Sequence, residues 1–549
     1  MASKDTKALR DDAPRLKSQQ QSVSVDATPL DAQVIQEYDN GHDKYTGRGT
    51  REDPFVVDWD DHDSENPFNW TKGRRWLITI QLALGTWTVS FCSSSYTGGL
   101  ASMMQELHMS REVAILGVSL YVLGFGIGPL VFAPASELYG RRIVFLSTYS
   151  VFTLMHLGGA LGHNTATMLS TRFLAGIFGS SPLTNASGVL SDMWTPKDRA
   201  LVSSIYATAP FMGPVLGPIV SGWIAETRLG WRFNFWLMLI FSAVSLLFGF
   251  IATPETFAPV LLRRRAKKLT ESTENRLHYL SQYDLKQHSS FLEVLRINLR
   301  RPFVFLLSEP IVLLLSIYIS IVYAILYAFF AAFPIVFQQI RGFSSGQGGL
   351  AFLGVGLGVA LGTALAPLQN KLYREAMRNS PTGRAPPEAR LYLPMMGAIV
   401  CPAGLFWFAW TSLPPIHWIV PILAGIPFGI GVAQIMTGLT QYLMDCYTIY
   451  CASAIASTVI LRSILAAIFP LISPAMYKNL GVHWASSVFA FLSVLCMPMP
   501  FLFFKYGPWI RSKSNFAQNQ QHPGTVQSPS PEETLHEKSE GTKDALEKV

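Results

Sequence analysis

Few side chains in this sequence have the type and spacing to do chemistry. Those that do are single charges set in long apolar runs. Arg172 stands four residues before Gly176 in the run 167–190, and Asp192 follows that run. Residues four apart share a helix face. A charge at such depth is costly in hydrocarbon unless it faces protein or water. Arg172 could shift the pKa of a neighbouring acid or bind an anionic group. Asp192, at the rim, reads as an interface residue or a proton carrier. Glu226, Glu309, Asp445 and Arg462 are further ionisable residues inside or beside apolar runs. His156 could titrate near neutral pH or sit hydrogen-bonded in a core.

Enzymatic chemistry finds little support. The histidines are scattered, so no His/Asp or metal constellation forms at one face. The five cysteines, Cys92, Cys401, Cys446, Cys451 and Cys496, lie in or beside apolar runs without a CxxC pair and read as packing residues. No Gly-x-x-x-x-Gly-Lys-Ser/Thr loop is present, so ATP is not hydrolysed here. No cofactor is expected.

The elements that hold these charges organise around one short segment, Ala133-Pro134-Ala135-Ser136-Glu137-Leu138-Tyr139-Gly140-Arg141-Arg142. It joins two apolar runs, 113–132 and 143–161, each long enough to cross a bilayer as a helix. Glycine permits a sharp turn, and adjacent arginines beside a span mark the cytoplasmic face. An echo follows: Ala366-Pro367 precedes Leu372-Tyr373-Arg374, and Pro134 and Pro367 are 233 residues apart. That offset suggests two similar halves.

Composition agrees. Of 549 residues, 49% are apolar and only 14% charged, against roughly 25% charge in soluble domains. Such a chain uses lipid as solvent. The net charge of +7 falls in loops beside spans and does not argue for nucleic acid. Twelve spans are predicted, near 76–97, 113–133, 143–161, 167–190, 200–224, 232–252, 306–334, 347–368, 391–411, 416–440, 446–470 and 483–505. The fold class is therefore all-α integral membrane. The predicted organisation is a disordered tail (1–70), a six-helix bundle (71–252), a basic cytosolic linker (253–302, helical in part around 270–300), a second bundle (303–510) and a disordered tail (511–549). Seven acids within 52–65 form either a docking patch or a solvated tail. No cleavable leader is expected, because the stretch before Trp70 is polar throughout. Basic clusters at Arg74/Arg75, Arg141/Arg142, Lys197/Arg199, Arg263 to Lys268 and Lys371/Arg374/Arg378 put both termini in the cytosol.

Span 5 carries Gly213-Pro214-Val215-Leu216-Gly217-Pro218 and then Gly222. Gly213 and Gly217 let another helix approach closely, and the prolines bend the helix. This suits a hinge about which two states rock. Tyr323, Tyr327 and Phe330 share one helix face. Their rings suit flat amphipathic or cationic cargo, or form an ordinary packing stripe.

These motifs resemble the major facilitator superfamily, and within it the fungal twelve-span drug:proton antiporters. The superfamily loop Gly-x-Leu-Ala-Asp-Arg-x-Gly-Arg-Arg maps to residues 133–142, with Glu137 for the acid and Gly140, Arg141 and Arg142 matched. Ala133 and Leu138 depart from it. Arg172 and Gly176 match the span 4 motif, and Gly213 to Gly222 match the antiporter motif. Pro254-Glu255-Thr256 and the Asn66 to Trp70 entry also fit. The resemblance covers residues 65–510. It implies two halves rocking about a central site, with Glu137 against the N-terminal end of span 11 and Arg141 paired with Asp192. These contacts would hold the outward-facing state. Arg172 and Asp192 would carry proton coupling. Cavity candidates from spans 1, 4, 7 and 10 are Gln81, Trp87, Arg172, Asn185, Tyr323, Tyr327, Phe330 and Gln434. The implied function is export of small amphipathic or cationic organic compounds (drug, toxin or secondary metabolite) by proton antiport with alternating access. A polyamine or nutrient transporter, or a facilitative importer, would share the fold. The partners are cargo, protons and lipid. A plasma-membrane monomer is expected, with the vacuolar membrane as the alternative.

Overall fold

Bilayer hydrocarbon offers backbone groups no water, so each apolar run must satisfy its own hydrogen bonds as a helix. The computed structural model describes residues 45–60, 62–273, 276–284, 291–380, 385–447 and 450–514. The chain forms two units, one from Met1–Asp58 with Arg265–Gln282 and one from Trp59–Arg264 with Tyr283–Val549.

In the small unit, strand β1 (Phe55–Val57) pairs in parallel with β2 (Tyr279–Ser281), Phe55 opposite Tyr279. The Phe55 and Tyr279 rings lie 5.3 Å apart and Val57 is buried. The reading of 1–70 as wholly unstructured is corrected here. Phe55-Val56-Val57 is too apolar and β-prone to stay solvated once Tyr279 offers a partner. The tail residues 1–44 and 515–549 lie outside the described residues.

The large unit begins with α1 (Lys72–Ser95), which passes through a 3-10 turn into α2 (Leu100–Glu106). Then come α3 (Arg111–Tyr139), α4 (Arg141–Leu161), α5 (Thr165–Met193), α6 (Pro196–Tyr206), α7 (Ala209–Glu226) and α8 (Arg232–Ala252). The connector holds α9 (Ala258–Ser272) and α10 (Phe291–Ser308). After it come α11 (Pro310–Phe333), α12 (Ser345–Leu350), α13 (Phe352–Ala364), α14 (Ala366–Arg378) and α15 (Tyr392–Thr411). Last are α16 (Ile419–Leu423), α17 (Gly425–Cys446), α18 (Cys451–Cys496) and α19 (Pro498–Ser512).

Local chemistry sets the boundaries. Thr71, Ser110 and Asn164 cap α1, α3 and α5 with side-chain oxygens on first-turn amides. Glu309 precedes Pro310 and is extended (φ −109°, ψ 102°), so the predicted span 306–334 breaks there into α10 and α11. The predicted span 200–224 likewise splits at Ala207 and Thr208, ahead of Pro210. The basic run Arg263 to Lys268 is helical, within α9, because its Leu, Arg, Lys and Ala residues favour helix. Gly481, at φ 74°, joins two helices inside α18, one for each of the last two spans. Among the described residues, nine continuous stretches are long and apolar enough to cross a membrane, the last covering both sides of Gly481. Spans 4 and 5, α5 and α7, complete the twelve. They fall short of that apolarity because α5 carries Arg172, Asn185 and Asp192 and α7 carries three prolines.

Packing repeats between halves. In the first, α1 packs on α7, α3 on α5, and α4 on α8. In the second, α11 packs on α18, α13 on α17, and α15 on the part of α18 beyond Gly481, through Phe406–Phe491 and Trp410–Trp484. These are the same three pairings, span 1 with 5, 2 with 4, and 3 with 6. The halves meet through α3 on α18 and through α7 on α12 and α13, again an equivalent pair. Two pseudo-symmetric six-helix bundles therefore share one seam.

Candidate functional site

The turn into α4 needs Gly140 at φ 106°, where a Cβ would collide with the Glu255 carboxylate. Glu255 is buried and fills the place of a helix cap. Its Oε1 accepts from the amides of Arg141 (2.9 Å), Thr256 (3.0 Å) and Phe257 (3.1 Å), and its Oε2 from Arg142 N (3.3 Å). A carboxylate at a helix N-terminus meets both free N–H groups and the positive end of the dipole. Arg141 then reaches Asp192 (Nε to Oδ2, 3.5 Å), donates from Nη1 to Ser136 Oγ (2.7 Å), and lies over the Phe257 ring (4.7 Å). Arg142 Nη2 donates to Phe250 O (3.3 Å). Thr256 Oγ1 donates to Asp192 at 3.4 Å.

Two assignments change here. Glu137 is exposed, with no hydrogen bond or ion pair among the described residues, because α3 continues to Tyr139 and turns it outward. The acid at a helix N-terminus is Glu255, and the helix is α4, not span 11. Secondly, Arg141 and Asp192 both belong to the first half. Their pair braces α4 to α5 within that half.

The second half repeats this brace. Arg390, just before α15, bonds Asp445 at the end of α17 (2.8 Å) and lies over the Tyr373 ring (3.6 Å). Beside it Glu388 is buried against Arg511 (2.7 Å). Burial pushes the Glu388 carboxyl above its usual range, and Arg511 opposes this. Sequence reasoning had Asp445 without its partner. The signal was there: Arg390 precedes Asp445 by 55 residues, much as Arg141 precedes Asp192 by 51.

Deeper in the bundle, Arg172 is fully buried, with no carboxylate beside it among the described residues. It donates to the carbonyls of Gly117 (3.2 Å), Cys92 (2.7 Å) and Ser93 (2.9 Å), between the faces of Tyr121 (4.2 Å) and Tyr96 (4.8 Å). Cys92 and Ser93 end α1 just where it tightens into the 3-10 turn, so Arg172 caps that helix end. His156 is buried edge-on against Phe152 (4.7 Å).

From Ser93 a polar row crosses to the other half. Ser93 Oγ meets Tyr327 Oη (3.1 Å), Tyr323 Oη donates to Tyr327 Oη (3.4 Å), and Arg462 of α18 lies over the Tyr323 ring (5.0 Å). Phe330 packs against Tyr327 (5.2 Å) and Phe352 (5.3 Å). The predicted stripe on α11 is thus brought to the seam, and Ser93, missed by sequence reasoning, is its partner from α1.

Gln81 and Trp87 are not beside this row. Gln81 Nε2 donates to Ser245 O of α8 (2.7 Å), and Trp87 stacks on Phe91 (5.3 Å) and packs on Phe241 of α8 (5.8 Å). The Gln81 amide nitrogen is satisfied on α8, while its own oxygen has no partner among the described residues. Asn185 is buried, with its amide donating to Ser181 Oγ (3.0 Å) and its own oxygen unpaired. Gln434 donates to Gly362 O and lines a small open cleft with Thr363, Gln369, Asn370, Thr437 and Gln441.

Helix α7 carries the seam. At Gly213 a Cβ would sit 2.6 Å from Phe91 N of α1, and at Gly222 it would sit 2.5 Å from Ser345 O of α12. Gly217 approaches Ser94 as closely, and Pro214 and Pro218 lie buried within the helix. Beside Gly222, Glu226 Oε1 accepts from Gly346 N (2.5 Å). One helix thus touches both halves with almost no side chain between.

Known proteins share this arrangement. The sequence profile described as Major Facilitator Superfamily matches residues 82–460. The chain is 49% identical over 474 residues to an MFS-type efflux pump, MFS2, of Trichophyton rubrum, covering 86% of this chain and 79% of that one. It is 47% identical over 474 residues to the Major facilitator superfamily multidrug transporter mdrA of Aspergillus fumigatus, with 86% and 77% covered. A partially occluded, inward-open structure of the xylose transporter XylE from E. coli superposes with a TM-score of 0.58 at 18% identity, over 79% of this chain and 98% of that one. Paired six-helix bundles, the loop at Gly140 to Arg142 and the matched profile lead to one assignment: this chain belongs to the Major Facilitator Superfamily of membrane transporters.

Proposed function

We propose that this chain is a secondary active exporter of small amphipathic organic compounds, driven by proton antiport. One observation carries the reading. The halves meet along two equivalent seams, α3 on α18 and α7 on α12 and α13, so rocking about them opens one end as it closes the other. The relatives' names, efflux pump and multidrug transporter, support the direction of transport. Basic residues at the Arg141 and Arg390 end support a cytosolic place for that end and for both termini. The plasma membrane is the proposed location. Residues 253–302 act as the connector between the halves. Asp192 is the proposed proton-responsive group, since it sits between Arg141 and Thr256 at the cytosolic rim. Arg172 supports it indirectly by fixing the end of α1.

Inside-out vesicles carrying the chain test this, with an acid interior imposed and lipophilic dyes of either charge supplied outside. Dye should accumulate only while the gradient lasts and leak out when a protonophore is added. Asp192→Asn at matched protein level should lower accumulation. Uptake indifferent to the gradient refutes antiport.

A further inference from the structure

Away from the helix ends, the charges that the spanning helices carry are of one sign. The carboxylates of the spanning helices, Glu112, Asp192, Glu226, Glu309 and Asp445 among them, sit at helix ends. Within the apolar stretches stand Arg172 and Arg462. Arg172 is committed, with three bonds to carbonyls and two tyrosine faces about it. Arg462 is not. It is half-buried on α18, and among the described residues its guanidinium meets the Tyr323 ring and makes no hydrogen bond or ion pair. Eleven residues past Cys451, it lies about 17 Å along the helix, near mid-depth in a hydrocarbon layer of about 30 Å. A ring face offsets only part of the cost of a cation at that depth. The five N–H donors of the fork match a carboxylate.

We infer that Arg462 and Tyr323 form the subsite that receives the anionic group of the cargo, and that the cargo is a flat organic anion, a carboxylate attached to a ring. The inference rests on the export reading and narrows its substrate. The carboxylate takes the guanidinium fork. The adjoining ring lies beside Tyr323, behind which Tyr327 and Phe330 are buried. The Tyr323 and Tyr327 hydroxyls lead from there to Ser93 of the first half, so cargo bound at Arg462 is felt across the seam. The same field disfavours cations.

Equilibrium binding to the purified full chain in nanodiscs tests this without any gradient. The probes are fluorescein, an anion, and rhodamine 6G, a cation on a similar ring system, read by fluorescence anisotropy. Wild type should bind fluorescein the tighter of the two, and benzoate should displace it at a tenfold lower concentration than the uncharged benzamide. Arg462→Gln should weaken fluorescein at least tenfold and leave rhodamine 6G unchanged or tighter. Arg462→Lys, which keeps the charge without the fork, should fall between. Preference for rhodamine 6G, equal displacement by benzoate and benzamide, binding of neither dye, or an Arg462→Gln protein that holds fluorescein like wild type would each overturn the inference. The benzoate arm needs no variant, so a poorly folding Arg462→Gln does not rescue it. Failure here leaves gradient-driven uptake in vesicles untouched. Gradient-independent uptake there leaves this binding preference intact.

Discussion

Replacing Glu255 should loosen the start of α4, along with the Thr256 and Phe257 amides that the same carboxylate holds. Its carboxylate accepts four amides, two of them from the first turn of α4 at 2.9 and 3.3 Å. Glu255→Ala leaves the Arg141 and Arg142 N–H groups without acceptors in a buried setting, at about 1–3 kcal/mol each. The lost charge at the helix N-terminus adds about 0.3–2 kcal/mol. The sum is about 2–8 kcal/mol. Even 3 kcal/mol raises the local opening equilibrium about a hundredfold. Glu255→Gln keeps an oxygen in the place of Oε1, which serves three of the four amides, and loses chiefly the charge. Its expected effect is about tenfold. Hydrogen–deuterium exchange of the purified protein reads this in peptides covering Gly140 to Phe145, with α11 peptides as the internal reference. Unchanged exchange at Arg141 and Arg142 in a well-folded Glu255→Ala protein would show that Glu255 does not cap α4.

Two further outcomes are expected. Arg172→Lys keeps the charge but cannot reach three carbonyls as the fork does, so thermal stability in detergent should drop, with transport falling only in step with folded protein. Transport lost at wild-type stability would assign Arg172 a role beyond holding α1. At Glu388, burial holds the folded pKa above the usual 4.5, so the folded state binds that proton more tightly than the unfolded state. The charged form therefore costs stability once pH exceeds the folded pKa, and the cost fades as pH falls through it. Melting temperatures of Glu388→Gln and wild type, compared from about pH 4 to 7, should move in the variant's favour as pH rises. The opposite trend would mean that Arg511 outweighs burial.

The spans were legible because lipid enforces a simple rule, a long apolar run or none. Gly140 to Arg142 was legible because turn and charge chemistry coincide there. What escaped the sequence was direction. Gln81 looked like a cavity residue because it is polar in an apolar run, yet which neighbour it faces depends on how α1 rotates against α8. Ser93 looked like filler, since a serine can bond its own helix, as Ser93 does to Ser90 O (2.6 Å) while also meeting Tyr327. Glu137 shows the same limit from the other side. A matched motif position fixes a residue type, whereas the end of α3 decides where it points. Arg390 was readable only by laying the halves over one another, because an ion pair 55 residues apart has no local signature.

The division of polar contacts between and within the halves bears on how such a protein can move. Arg141–Asp192, Arg390–Asp445 and Arg511–Glu388 each join residues of one half. Breaking a buried pair by removing a partner costs about 3–5 kcal/mol, so these pairs keep each bundle rigid. The contacts across the seam are of another kind. Ser93–Tyr327 is a neutral bond worth about 0.5–1.5 kcal/mol, and Glu226 to the Gly346 amide is charge-assisted at about 1.5–3 kcal/mol. With the Arg111 guanidinium on the Gln339 amide oxygen, also charge-assisted at about 1.5–3 kcal/mol, they come to about 3.5–7.5 kcal/mol. Swinging a two-state equilibrium from 1:99 to 99:1 takes about 5.5 kcal/mol. A seam latched at this level is comparable with that swing, and one latched by a buried ion pair as well would exceed it. The strong contacts therefore lie inside the bodies that move, and the weak ones lie where they part.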